Sequence, residues 1–600
     1  MSQPVKESPL MEKISSLCKR RGFIFQSSEI YGGIAGFWDY GPMGAELKRN
    51  LRDLWWRAMT REREDVLGLD ATIIMHPAIW RASGHVDTFS DPMADCLLTQ
   101  KRFRADHVDL QSGMVFRFTG ASGDEGTASA VAFAVLVPPG KPRESALKVA
   151  KQFYEQRGVK NAVVLGGEQG EKVENTRGFN PENGAQLTEP RPFNLMFKTY
   201  VGPTATEADV AYLRPETAQA IFAQFKNVLD TSRQKVPFGI CQIGKAFRNE
   251  VTPKNYTFRS REFEQMELEF FIKPDEAVAA VCGSVAEWSE SADLSVPADN
   301  WGWEMWHRYW VAQRTAFYQS IGLGADVLDY YWQTGDDLAH YARACVDILF
   351  KFPFGTEELE GIAARGDFDL TQHQTHCGKP QEFFDEELKA AVSGWDEAKR
   401  AAFVAVKTAE FRAKAEAAAA KSKRAATEEE LAAAEARAQH WSARFFTGNY
   451  VPHVIEPSAG LDRLALAVLC AAFCEEDKAD VNGKVERRTV LRFHPRVAPV
   501  KVGVFPLLKN RPELVAKARE VYGMLKPLMN CFYDETAAIG RRYARQDEAG
   551  TPFGVTIDFE TLGEKGPELA DTVTVRERDN GAQHRVKVGE LKAWLLERLA

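Results

Sequence analysis

The chain has no run of about 18 unbroken apolar residues, so no membrane-spanning helix is expected. Its opening residues, MSQPVKESPLMEK, carry neither an apolar core nor an arginine-rich amphipathic pattern. A secretory signal or transit peptide is therefore not expected, and a cytoplasmic location is. Cysteine is sparse, nine in 600 residues, scattered and odd in number, which speaks against a disulfide framework. Cys96 is followed by Leu97, Leu98 and Thr99, so no Cys-x-x-Cys forms and a paired-cysteine structural zinc is not expected. Excess positive charge is missing too. A net charge of −8 argues against broad coating of nucleic acid, while leaving room for local basic patches on a folded RNA. The stretch Tyr31-Gly32-Gly33-Ile34-Ala35-Gly36 is rich in glycine but lacks the pattern and context of a dinucleotide fingerprint.

What is present is enough for large cores: 44% apolar residues in a chain whose length suggests about two to four domains. Residues 236–271, VPFGICQIGKAFRNEVTPKNYTFRSREFEQMELEFF, organise the rest. Both ends alternate with period two, which predicts a hairpin. Phe238, Ile240, Gln242, Gly244, Ala246, Arg248 and Glu250 share one side of the first arm. In the second arm Met266, Leu268 and Phe270 share one side, and Phe263, Gln265, Glu267 and Glu269 the other. The polar connection 251–260 is too long for a tight turn, and ordered loops of that kind are usually functional. Arg248, Glu250, Glu267 and Phe263 thus fall on one charged face, which is costly unless paired or met by a ligand. An ion-paired outer face under solvent satisfies the alternation. So does a nucleotide platform, with the ring stacked on a base and the planar arginine fork on a phosphate.

Around it the elements read in order. Residues 10–21 form a short helix with Met11, Ile14, Leu17 and Cys18 inward and Gly22 as its stop. Tyr40-Gly41-Pro42 leads into an amphipathic helix through Leu47, Leu51, Leu54, Trp55 and Ala58, and 73–75 reads as a strand stopped by Pro77. Residues 80–107 read as a polar loop, solvated or substrate-lining. Within 110–205, 120–128 reads as a surface loop, 131–137 as a strand and 144–156 as a helix. In 211–219, Leu213 is extended ahead of Pro215 and a helix follows through Ala218, Ile221, Phe222, Phe225 and Val228. Glu216 sits in its first turn, where a carboxylate is an ordinary dipole partner or a ligand for an ammonium. The aromatic stretch 301–318 is core helix, and 389–444, dominated by Ala, Lys, Glu and Arg, is a long exposed helix or helical hairpin. Pro452 to Arg463 runs strand, small-residue turn, helix, a good place for a phosphate. Past residue 497, alternating strands and helices make a separate α/β domain. Its segment Gly540-Arg541-Arg542-Tyr543-Ala544-Arg545-Gln546 reads as a solvated basic loop or an RNA contact of arginines and a stacking ring.

Three of these segments carry a resemblance. Phe247-Arg248-Asn249-Glu250 followed by Arg259-x-x-x-Phe263-x-x-x-Glu267 resembles motif 2 of the class II aminoacyl-tRNA synthetases. The helix 42–58 and the strand and proline after it resemble motif 1, and the 452–463 segment resembles motif 3. Arg214-Pro215-Glu216-Thr217-Ala218-Gln219 and Glu456-Pro457-Ser458-Ala459-Gly460-Leu461-Asp462-Arg463 resemble signatures of the single-chain, homodimeric glycyl-tRNA synthetases.

The resemblance implies an α+β fold: an antiparallel-sheet catalytic core with helical insertions and a C-terminal α/β anticodon-binding domain. The expected divisions are 1–110 with motif 1, an insertion at 111–178, core at 179–384 with motif 2, a helical insertion at 385–447, core at 448–497 with motif 3, and the anticodon-binding domain at 498–600. It implies ATP and Mg2+ as substrate and cofactor, with glycine and its tRNA as partners and no membrane. Arg248 on the α-phosphate and Arg463 on the γ-phosphate are the implied catalytic residues. With them at the ATP site come Asn249, Glu250, Phe258, Arg259, Ser260, Arg261, Glu262, Phe263 on adenine, Glu358 as metal ligand, Leu359, Gly460, Leu461 and Asp462. For glycine it implies Arg104, Glu216, Phe263, Glu264, Gln265, Met266, Glu267, Glu456, Pro457, Ser458, Ala459 and Gly460. The implied chemistry is adenylate formation and then transfer to tRNA, with no covalent protein nucleophile. A catalytically silent relative that binds nucleic acid or serves as an accessory subunit is the rival; Arg248, Glu250, Phe263, Glu358 and Arg463, all present, speak against it.

Overall fold

The computed structural model describes residues 8–335, 338, 342–421, 423–479 and 485–599. Most of the 336–341 stretch, and the first seven residues on which the signal-peptide expectation partly rests, lie outside the described residues. The chain forms two compact units.

The larger unit comprises Met1–Ser83, Lys198–Arg248 and Pro253–Ala600. Helix α1 (Pro9–Arg21) buries Met11, Ile14, Leu17 and Cys18. It stops at Gly22, whose φ of 73° is the left-handed conformation glycine adopts without penalty. Helix α2 (Pro42–Thr60) starts on a proline, which loses nothing at a position without an intrahelical partner, and buries Leu47, Leu51 and Trp55. The strand expected at 73–75 is absent: Ile74 makes one isolated bridge to Leu213. The strand after α2 is β1 (Val66–Gly68), only three residues and too short to show a period. Pro77 opens a short helix, Pro77–Ala82, and does not end a strand.

Six further strands complete the central sheet: β2 (Phe238–Phe247), β3 (Glu262–Ile272), β4 (Leu328–Trp332), β5 (Ala344–Phe352), β6 (Gly355–Gly366) and β7 (His453–Gly460). Their order is β4-β5-β6-β7-β3-β2-β1, antiparallel throughout except for β2 and β1. The expected hairpin is β2–β3, with Gln242 opposite Glu267 and Ala246 opposite Phe263. Besides α2, four helices serve the sheet among the described residues: α3 (Ala218–Ser232), α4 (Trp303–Ser320), α5 (Phe368–Cys377) and α6 (Leu461–Ala472). One sheet face is apolar. Met266, Leu268 and Phe270 of β3, Ile348 and Phe350 of β5, and Ile455 and Ala459 of β7 pack with residues of α2, α4 and α6 into one core. Truncating a fully buried leucine there, such as Leu268, costs about 2–5 kcal/mol.

The Ala- and charge-rich stretch is a helical hairpin, Glu397–Lys421 and Glu428–Phe446, whose second helix opens with a Thr427–Glu430 capping box. Phe403 and Phe445, with ring centroids 4.8 Å apart, tie its helices together. The C-terminal part is a five-stranded sheet, Cys531–Tyr533, Val502–Pro506, Phe553–Ile557, Thr572–Glu577 and Gln583–Lys587 in spatial order, with three helices. The basic segment at 540–546 is not a loop. It lies in the helix Ile539–Ala549, where Arg542 is buried and donates to the carbonyls of Glu535, Ala537 and Pro506. Arg545 is paired with Asp534, and the Tyr543 hydroxyl bonds that of Thr556 at 2.6 Å.

The smaller unit is Gly84–Phe197 with Asn249–Thr252, so it begins well before the insertion expected at 111. The stretch read as a polar loop supplies two of its strands: Ser90–Asp95 pairs with Arg102–Arg104 and with Arg191–Asn194. Met93, Ala94 and Cys96 are buried. A second sheet joins Gln111–Ser122 to Phe133–Val137 and Val163–Thr176, and the helix Glu144–Glu155 packs on it. The strand runs through Gly120 to Ser122, where a surface loop was expected.

Candidate active site

The second face of the central sheet is polar and yet buried. Along β3 it shows Gln265, Glu267 and Glu269, all below a tenth exposed; β2 adds Gln242, β7 adds Glu456 and Ser458, and β6 adds Arg365. This rules out the solvated ion-paired face. Three buried carboxylates and a guanidinium stay in a folded interior only when hydrogen-bonded or matched to a ligand.

The cover comes from far away in the sequence. Thr217, at the start of α3, donates its hydroxyl to Glu267 and its backbone N–H to Gln265 at 3.1 Å. The Ser458 hydroxyl reaches the other Glu267 oxygen at 2.9 Å. Arg365 grips Glu456 with two bonds of 2.8 and 2.7 Å and Asp369 of α5 with two of 2.8 and 3.0 Å. Such forked pairs are the strong, orientation-fixing kind. Gln219 donates to Asp369 at 3.0 Å and to Glu216 at 3.1 Å, and its oxygen bonds His373 at 3.0 Å. A continuous chain therefore joins Glu216, Gln219, Asp369, Arg365 and Glu456. Glu216 precedes the helix, which starts at Ala218, and is not in its first turn.

Arg214, of the same Arg-Pro-Glu segment, is structural. Buried, it donates to the carbonyls of Lys245 at 2.7 Å and Ala71 at 3.0 Å. Its guanidinium passes so close to Gly244 that a Cβ there would lie 2.1 Å from Nη2, which requires glycine in mid-strand.

Electrostatics divide the face. Burial pushes the Glu267 and Glu269 carboxyls upward, and pushes Glu456 up to about 8 despite Arg365. At the other end the sign reverses. Arg463 in the first turn of α6 pairs with Glu358 at 2.9 Å, and Arg463, then Arg248 and Arg259, hold Glu358 below the usual carboxylate range. The β5–β6 register slips by one between Ile348 and Leu349. Glu358 and Glu360, two apart on one strand, consequently have different surroundings: Glu360 is buried on Arg314 and Tyr318 of α4, while Glu358 meets the arginines. Bulges commonly re-aim a side chain in this way. Asp347 of β5 lies beside Glu358 and Arg463 and is pushed upward by burial. Arg248 lies 5.4 Å from the centre of the Phe263 ring and donates to the Pro215 carbonyl; Arg463 lies 4.6 Å from the Phe258 ring. Three arginines and two half-open or buried rings around one carboxylate suit a nucleotide polyphosphate.

Not every residue implied by the resemblance reaches this face. Met266, Leu359, Ala459 and Leu461 are in the apolar core, and Pro457 is buried between strands. Glu264 and Asp462 both pair with Lys48 of α2, at 3.1 and 2.8 Å, and the Glu264 N–H donates to Asp462 at 2.7 Å. They brace the hairpin from the opposite side: strand parity sends the Glu264 side chain away from Glu267, and Asp462 meets it from the first turn of α6. Ser260 is buried on the Thr257 carbonyl, Arg261 bonds the Ala35 carbonyl at 2.8 Å, Glu262 pairs with Lys245 at 2.9 Å, and Gly460 caps α6 beneath the Arg463 side chain. Strand β2 ends at Phe247, so Asn249 and Glu250 do not share the sheet face; both belong to the smaller unit. There the Asn249 N–H donates to Leu195 at 2.7 Å, and Arg104 is held by Asp106 at 2.9 Å and Asp91 at 3.0 Å, with Glu250 as a further acid nearby.

Comparison with known proteins gives the family. Residues 200–294 match the tRNA synthetase class II core domain (G, H, P, S and T), and residues 501–598 match the anticodon binding domain. The glycine–tRNA ligase of Thermus thermophilus is 42% identical over 98% of this chain and 99% of its own length. Those of Rhodopirellula baltica and Thermobifida fusca are 40% and 38% identical, covering 98% and 99% of this chain and 99% of their own lengths. The chain belongs to the glycine–tRNA ligase family. Its fold is accordingly that of a class II synthetase core with an anticodon-binding domain. Among the described residues, no helix of this family member is long and apolar enough to cross a membrane.

Sequence reasoning missed Arg365, Asp369, Thr217, Gln219 and Asp347 as members of the site. Thr217 and Gln219 stand inside a segment that was singled out for Glu216 alone. Arg365 and Asp369 carry only the faint signal of an i, i+4 charge pair at a strand-to-helix junction.

Proposed function

We infer that this chain is an aminoacyl-tRNA ligase that activates glycine with ATP and transfers it to the 3′ end of its tRNA. The observation that carries the reading is the division of one buried sheet face into an acidic end and an arginine end. The acidic end receives the ammonium of the amino acid, on Glu216, Glu267 and Glu456 with Ser458 alongside. The arginine end receives ATP, with Phe263 against adenine and Arg248 and Arg463 on the phosphates. The glycine carboxylate oxygen attacks the α-phosphorus, forming the mixed anhydride and releasing pyrophosphate. A terminal ribose hydroxyl of the tRNA then attacks the acyl carbon and AMP leaves. Positioning and fixed charge supply the rate enhancement, since no side chain need form a covalent bond. Glu358, with Asp347 beside it, offers the hard oxygen donors that Mg2+ takes together with phosphate oxygens. Bound there, the ion would neutralise phosphate charge.

The protein acts as a homodimer in the cytoplasm in this reading. Ile30 and Tyr31, each 88% exposed just ahead of α2, form the kind of apolar projection that a subunit interface covers. Gel filtration with light scattering should give twice the chain mass. ATP–pyrophosphate exchange with each of the twenty amino acids, one at a time, tests the activity. Exchange with glycine alone is expected. Exchange with another amino acid would overturn the substrate, and none from folded protein, with tRNA added, would favour a silent binding protein.

A further inference from the structure

Beneath the acidic end of the site lies a carboxylate that the reaction as described does not use. Glu269 is fully buried on β3, two residues below Glu267. Carboxylate oxygens of Glu267, Glu269 and Glu456 lie within 4.8 Å of one another. Every other acid of the cluster has donors: Glu267 has the Thr217 and Ser458 hydroxyls, Glu456 has Arg365, and Asp369 has Arg365 and Gln219. Neither oxygen of Glu269 has a hydrogen-bond partner among the described residues.

The charge count makes this position informative. Glu267, Glu269, Glu456 and Asp369 would bring −4 if all ionised, and Glu216, acting on Glu267 and Glu456, a further negative charge, against +1 from Arg365; a bound amino acid adds one ammonium. An ionised carboxylate with neither donor nor partner, buried beside like charges, is the least favourable of the four, so a proton settles there first. A neutral carboxyl is itself a hydrogen-bond donor. The charged groups around Glu269 are Glu267 on its own strand, Glu456 on β7 and Asp369 on α5, all able to accept, with the cation Arg365 on β6 among them. Its cross-strand partner on β2, Ile240, supplies nothing polar.

We propose that Glu269 is a positioning residue: a neutral carboxylic acid throughout the reaction, whose proton is directed at the Glu267–Glu456 pair and holds those carboxylates toward the amino-acid ammonium. The proposal rests on the assignment of this end of the face to the amino acid. Burial and the neighbouring Glu456 push the Glu269 carboxyl far upward, in keeping with a group that stays neutral as the others titrate.

The test is Glu269→Gln, which keeps shape, neutrality and a donor, beside Glu269→Ala, which keeps none of them. Glycine-dependent exchange by E269Q should retain kcat and KM within about threefold of the parent, with the same pH profile, while E269A should raise the KM for glycine by about tenfold or more. Isotope-edited infrared difference spectra of the full chain at neutral pH should show one neutral carboxylic-acid carbonyl band in the parent that is missing in E269Q. An E269Q loss as large as that of E269A would overturn the proposal, because it would mean that the charge is needed. So would the absence of that infrared difference. Should the parent not respond to glycine, the functional reading fails instead, and the infrared comparison still decides the state of Glu269.

Discussion

Glu456 and Glu358 are carried by two of the central strands, yet burial raises one and arginines lower the other. The difference lies in their neighbours. Around Glu456 the acids outnumber the single guanidinium of Arg365; around Glu358 the guanidinia of Arg463, Arg248 and Arg259 outnumber the acids. Each end is poorly matched in isolation; in the function proposed above, a ligand of opposite sign completes it, an ammonium at one and a polyphosphate at the other. The two strands are adjacent, so in that proposal the amino-acid carboxylate would lie between the two ends, where the phosphoryl group is attacked.

That contrast can be broken at either end. The largest effect should come from Arg248→Ala, expected to lower exchange by about 10²–10³-fold with the fold intact by circular dichroism. Unchanged exchange would remove Arg248 from the phosphate site. Next, Arg365→Met strips the acidic end of its cation and leaves Glu456 and Asp369 unpaired. It should destabilise the protein by about 3–5 kcal/mol in urea unfolding and raise the KM for glycine.

A smaller effect is pH-dependent. Because burial raises Glu456 to about 8, lowering the pH through that value protonates it and weakens ammonium binding, so the KM for glycine should rise as pH falls below about 8. The KM for ATP should stay flat over the same range, because Glu358 lies below it. The stability sign is opposite. A raised folded-state value means that the native acid binds more protons than the unfolded one, so these groups favour the fold at low pH and lose that contribution as pH rises toward 8. Saturating glycine with ATP should offset the loss in thermal unfolding. The smallest effect belongs to the C-terminal basic segment: Arg545→Ala should change the KM for tRNA by less than about threefold, its guanidinium being engaged by Asp534.

The hairpin at the heart of the fold was legible because alternation over ten or more residues leaves little choice of face, and the same holds for α1, α2 and α4 with their helical spacing. The burial of the polar face was not. Its cover, Thr217 and Asp369, comes from elements about 50 and 100 residues away, and no local pattern announces who will shield Glu267. The register slip that turns Glu358 toward the arginines is a property of pairing, invisible in either strand alone. Where a family motif runs along a strand, consecutive residues such as Glu264 to Glu267 alternate faces, so half of the side chains in any such run point into the core or against α2. At 540–546 a basic composition suggested exposure, but Arg542 sits on the inner side of a helix and holds carbonyls that would otherwise be unmet.

The most direct measurement of the central claim is the exchange kinetics of Glu267→Gln, read as separate KM values for glycine and for ATP. If the face divides its substrates by charge, the glycine KM should rise by about tenfold or more while the ATP KM stays within about twofold. An equal rise in both, with the protein folded, would contradict it: the two ends of the face would then form one undivided site.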